Sequence, residues 1–359
     1  GTAFSASERA ELGLSGLLPP RIESIEDQIR RATAAYGRET TALGRFQFLR
    51  RLQDTNEVLF FALLERNVRD MMPIVYTPTV GLAVERFSDI YEEPRGLSLA
   101  IDDPTPIRDV LATIPRDDVR MIVATDSSAI LGIGDQGYNG LAIAIGKLAL
   151  YTLAGAASPF QTLPVVLDVG TDREALHEAP SYLGVRRPRA RGEERLAFVR
   201  SFVEAVRERW PEAIIQWEDF GKESAFDVLE AFRDVVPSFN DDIQGTGAVA
   251  LSGLLVATKS QGGLGAGRYL VFGAGAGGVG VARALRAGLE REGLTRAQAE
   301  ERIFVVDSKG LLVEGRSMEA YKREFSQPRA VIASWRTRAA IPSLLETITI
   351  VGLVVFLFL

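Results

Sequence analysis

Residues 268–290 read RYLVFGAGAGGVGVARALRAGLE: an apolar run, a cluster of glycines, then apolar residues at helical spacing. Gly273, Gly275 and Gly278 match GxGxxG directly after the strand and at the start of the helix. That context separates a dinucleotide-binding turn from a chance match. Gly273 would make the tight turn, Gly275 would let the backbone approach a pyrophosphate, and Gly278 would let helix and strand pack closely. The helix N-terminus would face the phosphate charge. A second strand, RIFVVD (302–307), ends in Asp307, placed to accept hydrogen bonds from a ribose. Asp307 lies farther from the turn than the usual ~20 residues, and the insert GLTRAQAEE (293–301) lengthens the crossover accordingly. The competing reading is a glycine-rich turn that only packs.

Upstream, apolar strands alternate with helical stretches. MIVATD (121–126), LPVVLDVGTD (163–172) and IIQWEDF (214–220) read as buried strands, and LAIAIGKLALYTLAG (141–155) as a helix carrying Lys147. MPIVYTPTVG (72–81) reads as a further short strand running into Tyr76, and residues 1–72 are mostly helical in pattern. Strands alternating with helices imply a mostly parallel α/β sheet.

The stretch 216–247, QWEDFGKESAFDVLEAFRDVVPSFNDDIQGTG, holds Glu218 and Asp219 at one end and Asp241 and Asp242 at the other. Between them SAFDVLEAFRDVV has apolar residues at Phe226, Val228, Leu229, Phe232 and Val235, one face of a helix. Such a helix is ~20 Å long, so its ends share a site only if the flanking loops fold back. Gly221, Pro237 and the glycines of GTG (245–247) permit that. Two acidic pairs converging from loops make a hard-oxygen site for Mg²⁺ or Mn²⁺. Two solvated surface pairs are the alternative.

Composition narrows the rest. A chain of 359 residues suggests two or three domains, and 47% hydrophobic with 25% charged residues is ordinary for globular protein. A net charge of −6 gives no basic footprint for nucleic acid. The absence of Cys excludes disulfides, thiolate nucleophiles and Cys-ligated zinc, and fits a reducing, cytoplasmic compartment. A His-driven dehydrogenase or a Ser–His hydrolase would have to depend on the single His177, in a turn or helix end, and no catalytic role is assigned to it. The start, GTAFSASERAELG, lacks the charged region and apolar core of a signal peptide. The end, TITIVGLVVFLFL (347–359), is uncharged and apolar but shorter than the ~20 residues a spanning helix needs. It reads as a buried sheet strand, and no membrane partner is expected. A Rossmann domain needs about six strands; three are countable here, so a chain shortened at its C-terminus is expected.

Together these residues resemble the malic enzyme family. The likeness rests on GLLPP (16–20), MPIVYTPTVG (72–81), ILGIGDQGYNG with GKLALYT (130–152), LPVVLDVGT (163–171), EDF (218–220), FNDDIQGTGAVA (239–250), the GxGxxG turn and VDSKG (306–310). It implies an α/β fold with a helical N-terminal region (1–72), a substrate and metal domain (73–245) and a partial Rossmann-type dinucleotide-binding domain (246–359). It also implies oxidative decarboxylation of L-malate to pyruvate and CO₂ with a divalent metal, Mg²⁺ or Mn²⁺, and NAD or NADP, by a homo-oligomer, dimer or tetramer. By resemblance, Glu218, Asp219 and Asp242 are the metal ligands, Lys147 the general base, Tyr76 the general acid, and Asp241 the carboxylate beside the lysine. Lysine accepts a proton only when neutral, so its pKa must fall. Asp241 would pull the other way. Asp307 would accept from a ribose 2′-OH and repel a 2′-phosphate, which favours NAD, while Lys322 near it would favour NADP.

Three departures stand against the family pattern. Where the family reads DGERILG, residues 126–132 read DSSAILG, so Ala129 stands in place of the arginine that binds the malate carboxylate. The family's remaining nucleotide-domain strands, with two asparagines that contact malate and nicotinamide, have no counterpart before residue 359. Thr55 replaces an arginine that some animal members use to bind fumarate. Ala129 and the missing strands favour a second reading, a non-catalytic remnant that binds metal or partner chains. A plain 2-hydroxy-acid dehydrogenase is opposed by the single His and the carboxylates.

Overall fold

The structure is a computed structural model that describes residues 1–330, and the chain divides into two units, Gly1–Ile215 and Gln216–Leu359. The first unit begins with α1 (Ala6–Glu11), α2 (Ile25–Tyr36), α3 (Ala42–Thr55), α4 (Glu57–Arg66), α5 (Val68–Val75) and α6 (Thr79–Glu85). Side chains mark the starts: Ser24 and Asp27 form a reciprocal cap on α2, and Thr41 and Asn56 cap α3 and α4. Phe46, Leu49, Phe60, Leu63, Leu64 and Met71 are buried together where these helices meet.

The strand expected over 72–81 is instead helical: α5 and α6 flank the turn at Tyr76–Pro78. Met71, Ile74 and Val75, at i, i+3 and i+4, are all buried, and that shared face outweighs the β-branched residues and the internal Pro73. Helix therefore continues to Glu85, past residue 72.

The sheet of this unit follows, with β1 (Leu97–Ala100), α7 (Ile107–Ala112), β2 (Met121–Thr125), α8 (Leu141–Gly155) and β3 (Thr162–Asp168). β3 is buried over its whole length, with β1 parallel on one side (Leu97 opposite Val165) and β2 parallel on the other (Met121 opposite Thr162). A strand covered on both faces needs an unbroken apolar run, which is how TLPVVLD reads. β1 lacks that signal, because LSLA is four residues long with an exposed Ser98 at its second position. α8 is the layer between: Ala144 and Leu148 pack on Val123 of β2, while Leu141, Ala142 and Ile145 join the helical cluster. Two helices, α9 (Glu174–Glu178) and α10 (Gly192–Arg209), lead to β4 (Ile214–Glu218), on which the chain passes into the second unit.

In the second unit α11 spans Lys222–Phe232 and buries Phe226, Val228, Leu229 and Phe232, whereas Val235 lies beyond its end and is exposed. β5 (Ser238–Asn240) neighbours β4 and runs into a π-helical turn, Asp241–Gly245, from which α12 (Thr246–Thr258) continues. Then come β6 (Tyr269–Phe272), α13 (Ala276–Arg291), α14 (Arg296–Glu300), β7 (Ile303–Asp307) and β8 (Gly310–Leu311). β6 and β7 are parallel, Tyr269 opposite Ile303, and β8 pairs antiparallel with β7. The insert between α13 and β7 is the short capped helix α14. The strand expected over 347–359 lies outside the described residues. No helix among the described residues is long and apolar enough to cross a membrane.

Candidate active site

In the first unit the structure brings Lys147 and Tyr76 together. Lys147 is the one charged residue of α8, and its Nζ stands 5.3 Å from the centroid of the Tyr76 ring. Tyr76 ends α5, its N–H donating to the carbonyl of Met72 at 3.0 Å. Gly146 makes the approach possible: a Cβ there would stand 2.9 Å from Tyr76 Cδ2 and 3.0 Å from the carbonyl of Val75.

Ala129 sits in the loop after β2, between Asp126 and the 130–140 glycine loop. An arginine that sequence reasoning passed over organises this loop. Arg189 donates Nε to Asp135 Oδ2 at 2.8 Å, Nη2 to Asp135 Oδ1 at 2.5 Å and Nη1 to the carbonyl of Asp126 at 2.8 Å. Its side chain is only 7% exposed. All three nitrogens of its guanidinium are spent inside the protein, so Arg189 does not replace the arginine missing at 129. Burial works against the charge on Asp135, but Arg189 and the amides of Asp172 and Gly137 outweigh it and hold the carboxyl below its usual range. Burial pushes the carboxyls of Asp126 and Asp168 up instead, against the pull of Arg189 and local hydrogen bonds. The His177 Nε2–H donates to the Arg187 carbonyl at 3.1 Å.

In the second unit the loops at both ends of α11 do fold back. The N–H of Asp219, a residue in the left-handed region with φ 55°, donates to Asp242 Oδ2 at 3.0 Å. Asn240 caps the acidic turn by accepting from the N–H of Ile243 at 2.9 Å. Asp241 Oδ1 lies over Gly245, where a Cβ would come within 2.2 Å of it. Glu218 and Asp219 are 4% and 6% exposed, too buried to be the solvated pair of the alternative reading. Glu218 accepts from Gln216 Nε2 at 2.5 Å. In kind, carboxylates alone suit a hard divalent cation. Among the described residues, however, no group of three or more His, Cys, Asp or Glu is arranged to hold a metal ion; Asp219 and Asp242 meet, while Glu218 is tied to Gln216.

The glycine turn has the predicted local form. Gly273 has φ 107°, and Gly275 precedes the first residue of α13 with no atom nearer its missing Cβ than Lys222 Cε at 3.8 Å. A Cβ on Gly278 would stand 2.0 Å from the Gly273 carbonyl oxygen, so helix and turn touch through backbone. Asp307 ends β7 and accepts from the Lys309 N–H at 2.8 Å, Arg316 Nη2 at 2.5 Å and Lys322 Nζ at 3.5 Å. Burial opposes its charge, but these partners prevail and lower its pKa.

A βαβ unit opened by a glycine turn, following an acidic turn, defines an α/β protein of the dinucleotide-binding class. Residues 53–233 match the malic enzyme N-terminal domain and residues 243–356 the malic enzyme NAD binding domain, and the chain belongs to the malic enzyme family. It is 43% identical over 350 residues to a protein of Enterobacter sp. (strain 638) named NAD-dependent malic enzyme, covering 97% of this chain and 62% of that one. It is 46% identical over 337 residues to a protein of the same name from Pseudomonas aeruginosa (strain LESB58), covering 93% and 60%. The chain thus spans about three-fifths of the length of these curated relatives. The crystal structure of Entamoeba histolytica malic enzyme aligns with a TM-score of 0.45 at 21% identity, over 87% of this chain and 54% of that one.

Proposed function

We propose that this chain serves the oxidative decarboxylation of L-malate to pyruvate and CO₂ with NAD as the oxidant. The observation that supports the reading is that Lys147 Nζ stands 5.3 Å from the centroid of the Tyr76 ring in a chain of this family. Lys147 would take the proton of the malate C2 hydroxyl, and the Tyr76 hydroxyl would return a proton at C3 of enolpyruvate. Asp241 would bias the charge of the lysine. Glu218, Asp219 and Asp242 would hold Mg²⁺ or Mn²⁺, and Gly273, Gly275, Gly278 and Asp307 would seat the cofactor. When bound, the cation would supply the charge that acidifies the hydroxyl, and NAD would supply the hydride acceptor.

In this reading residues 1–72 form a helical N-terminal region, 73–245 the substrate and metal domain and 246–359 the dinucleotide-binding part, and the protein works as a homo-oligomer in the cytoplasm. The test is NADH formation from L-malate with Mn²⁺, lost on Lys147→Met. A second reading, a family member that binds metal without turning over malate, is favoured by Ala129, since a lost Arg–carboxylate fork forfeits a charge-assisted bidentate contact. Ala129→Arg separates the two: a gain in malate affinity supports the enzyme.

A further inference from the structure

We propose that a cavity in the first unit binds a small organic monoanion with an apolar body, its charged end on Arg116. The cavity, of about 270 Å³, is lined by Gln53, Phe61, Arg95, Arg116, Leu148 and Thr152 among others. It lies apart from Lys147, Tyr76 and the 130–140 loop, none of which lines it.

One of its polar groups lacks the partner that its charge calls for. Arg116 donates Nη1 to the carbonyls of Thr162 (2.5 Å) and Pro159 (3.4 Å), and no carboxylate among the described residues pairs with it. Arg95 beside it is committed to Glu57 and, at 3.4 Å, to Asp54. Asp54 is shared in turn with Arg50 at 3.0 Å. Arg50, Arg95 and Arg116 against Asp54 and Glu57 leave one positive charge over, and that charge faces the cavity. Burial and the repulsion of Arg95 both draw the Arg116 pKa down, against the pull of Glu57.

The count of charges selects the ligand class. One carboxylate neutralises the cluster; a phosphate dianion would overshoot it. Phe61, Ile145, Leu148 and Leu163 also line the cavity, so the rest of the ligand should be apolar. Exposed Gly96, Thr113 and Pro115 form the rim through which it enters.

The test is calorimetric titration of the full chain with benzoate and hexanoate, and with benzamide and inorganic phosphate as controls. One saturable site per chain is expected for the carboxylates, with benzamide and phosphate at least ~10-fold weaker, in line with the gain of a charge-assisted bond. Arg116→Gln should weaken benzoate ~10-fold or more. Thr113→Glu sets a negative charge at the exposed rim and should weaken it several-fold while leaving the melting temperature unchanged. That second variant decides the matter if Arg116→Gln does not fold. Absence of saturable carboxylate binding, affinity indifferent to both substitutions, or phosphate binding as tight as benzoate would each overturn the assignment.

Discussion

Gly280 of α13 lies against the carbonyl of Ile243 in the acidic turn, so close that a Cβ at 280 would stand 2.0 Å from that oxygen. Gly247 meets the Gly280 carbonyl in the same way, at 2.6 Å. The turn bearing Asp241 and Asp242 and the helix after the glycine turn are therefore packed backbone to backbone. Gly280→Ala should push them apart, costing about 1–3 kcal/mol as overpacking does, and should weaken Mn²⁺ binding along with stability. Urea unfolding reads the first and calorimetry the second; a wild-type midpoint would show that the contact gives way freely.

Lys147→Met removes the proposed base while keeping the length of the side chain. Malate oxidation should fall by about 10²–10⁴-fold, the usual worth of a positioned proton-transfer group. Tyr76→Phe keeps the ring under the lysine, so its loss should fall on pyruvate release from oxaloacetate. Paired assays of NADH formation from malate and pyruvate formation from oxaloacetate distinguish the two roles. Near wild-type NADH formation by the Lys147 variant would remove it from the mechanism.

Asp242→Ala takes away a proposed metal ligand and the acceptor of the Asp219 N–H. Mn²⁺ affinity measured by titration calorimetry should drop at least ~10-fold, as loss of a ligand or its support does. Equal affinity in the two proteins would remove the carboxylate from the site.

Asp307 holds Arg316 and Lys322 at the end of β7. In Asp307→Ala these cations are released and no carboxylate remains to repel a 2′-phosphate. NADH binding should weaken and NADPH binding tighten, so that the ratio of the two affinities moves toward NADPH. Fluorescence titration with both cofactors measures the ratio, and an unchanged value would mean that Asp307 does not meet the ribose.

The Asp135–Arg189 pair makes stability depend on pH in one direction. The Asp135 carboxyl titrates below its unfolded value of about 3.9. Its contribution is therefore complete above that value and is lost as pH falls through the folded pKa. Asp135→Asn leaves Arg189 buried without its counter-charge and should cost about 3–5 kcal/mol near neutrality. It should also flatten the loss of stability below about pH 4. Urea midpoints at pH 7 and pH 3.5 give both quantities; parallel curves for the two proteins would deny the pair this part.

The parts of the fold legible in the sequence are those whose apolar pattern is contiguous. β2, β3, β6 and β7 are short, mostly apolar runs, β4 is one interrupted by Gln216 and Glu218, and α8 is an apolar stretch too long for a strand. In α5, β-branched residues and Pro73 mask the 71, 74, 75 face that the helical cluster covers, so the stretch reads as a strand. β1 needs its neighbour β3 to be a strand at all, and four residues carry no period. At the site, the acidic and glycine turns were visible because each is contiguous. The Arg189–Asp135 pair was not, since 54 residues separate its members and the run RRPRARGEE looks like a solvated loop. Gly146 likewise gave no sign of its role, which lies in the ring of Tyr76.

From Leu141 to Ala149 every residue of α8 except Lys147 is buried. A helix walled in on the sheet side and on the helical side has no inexpensive local opening, so its amide protons should exchange with solvent only when the whole first unit unfolds. Lys147 thus sits on a backbone anchored for as long as the unit stays folded, so only its side-chain torsions can move the amine relative to Tyr76.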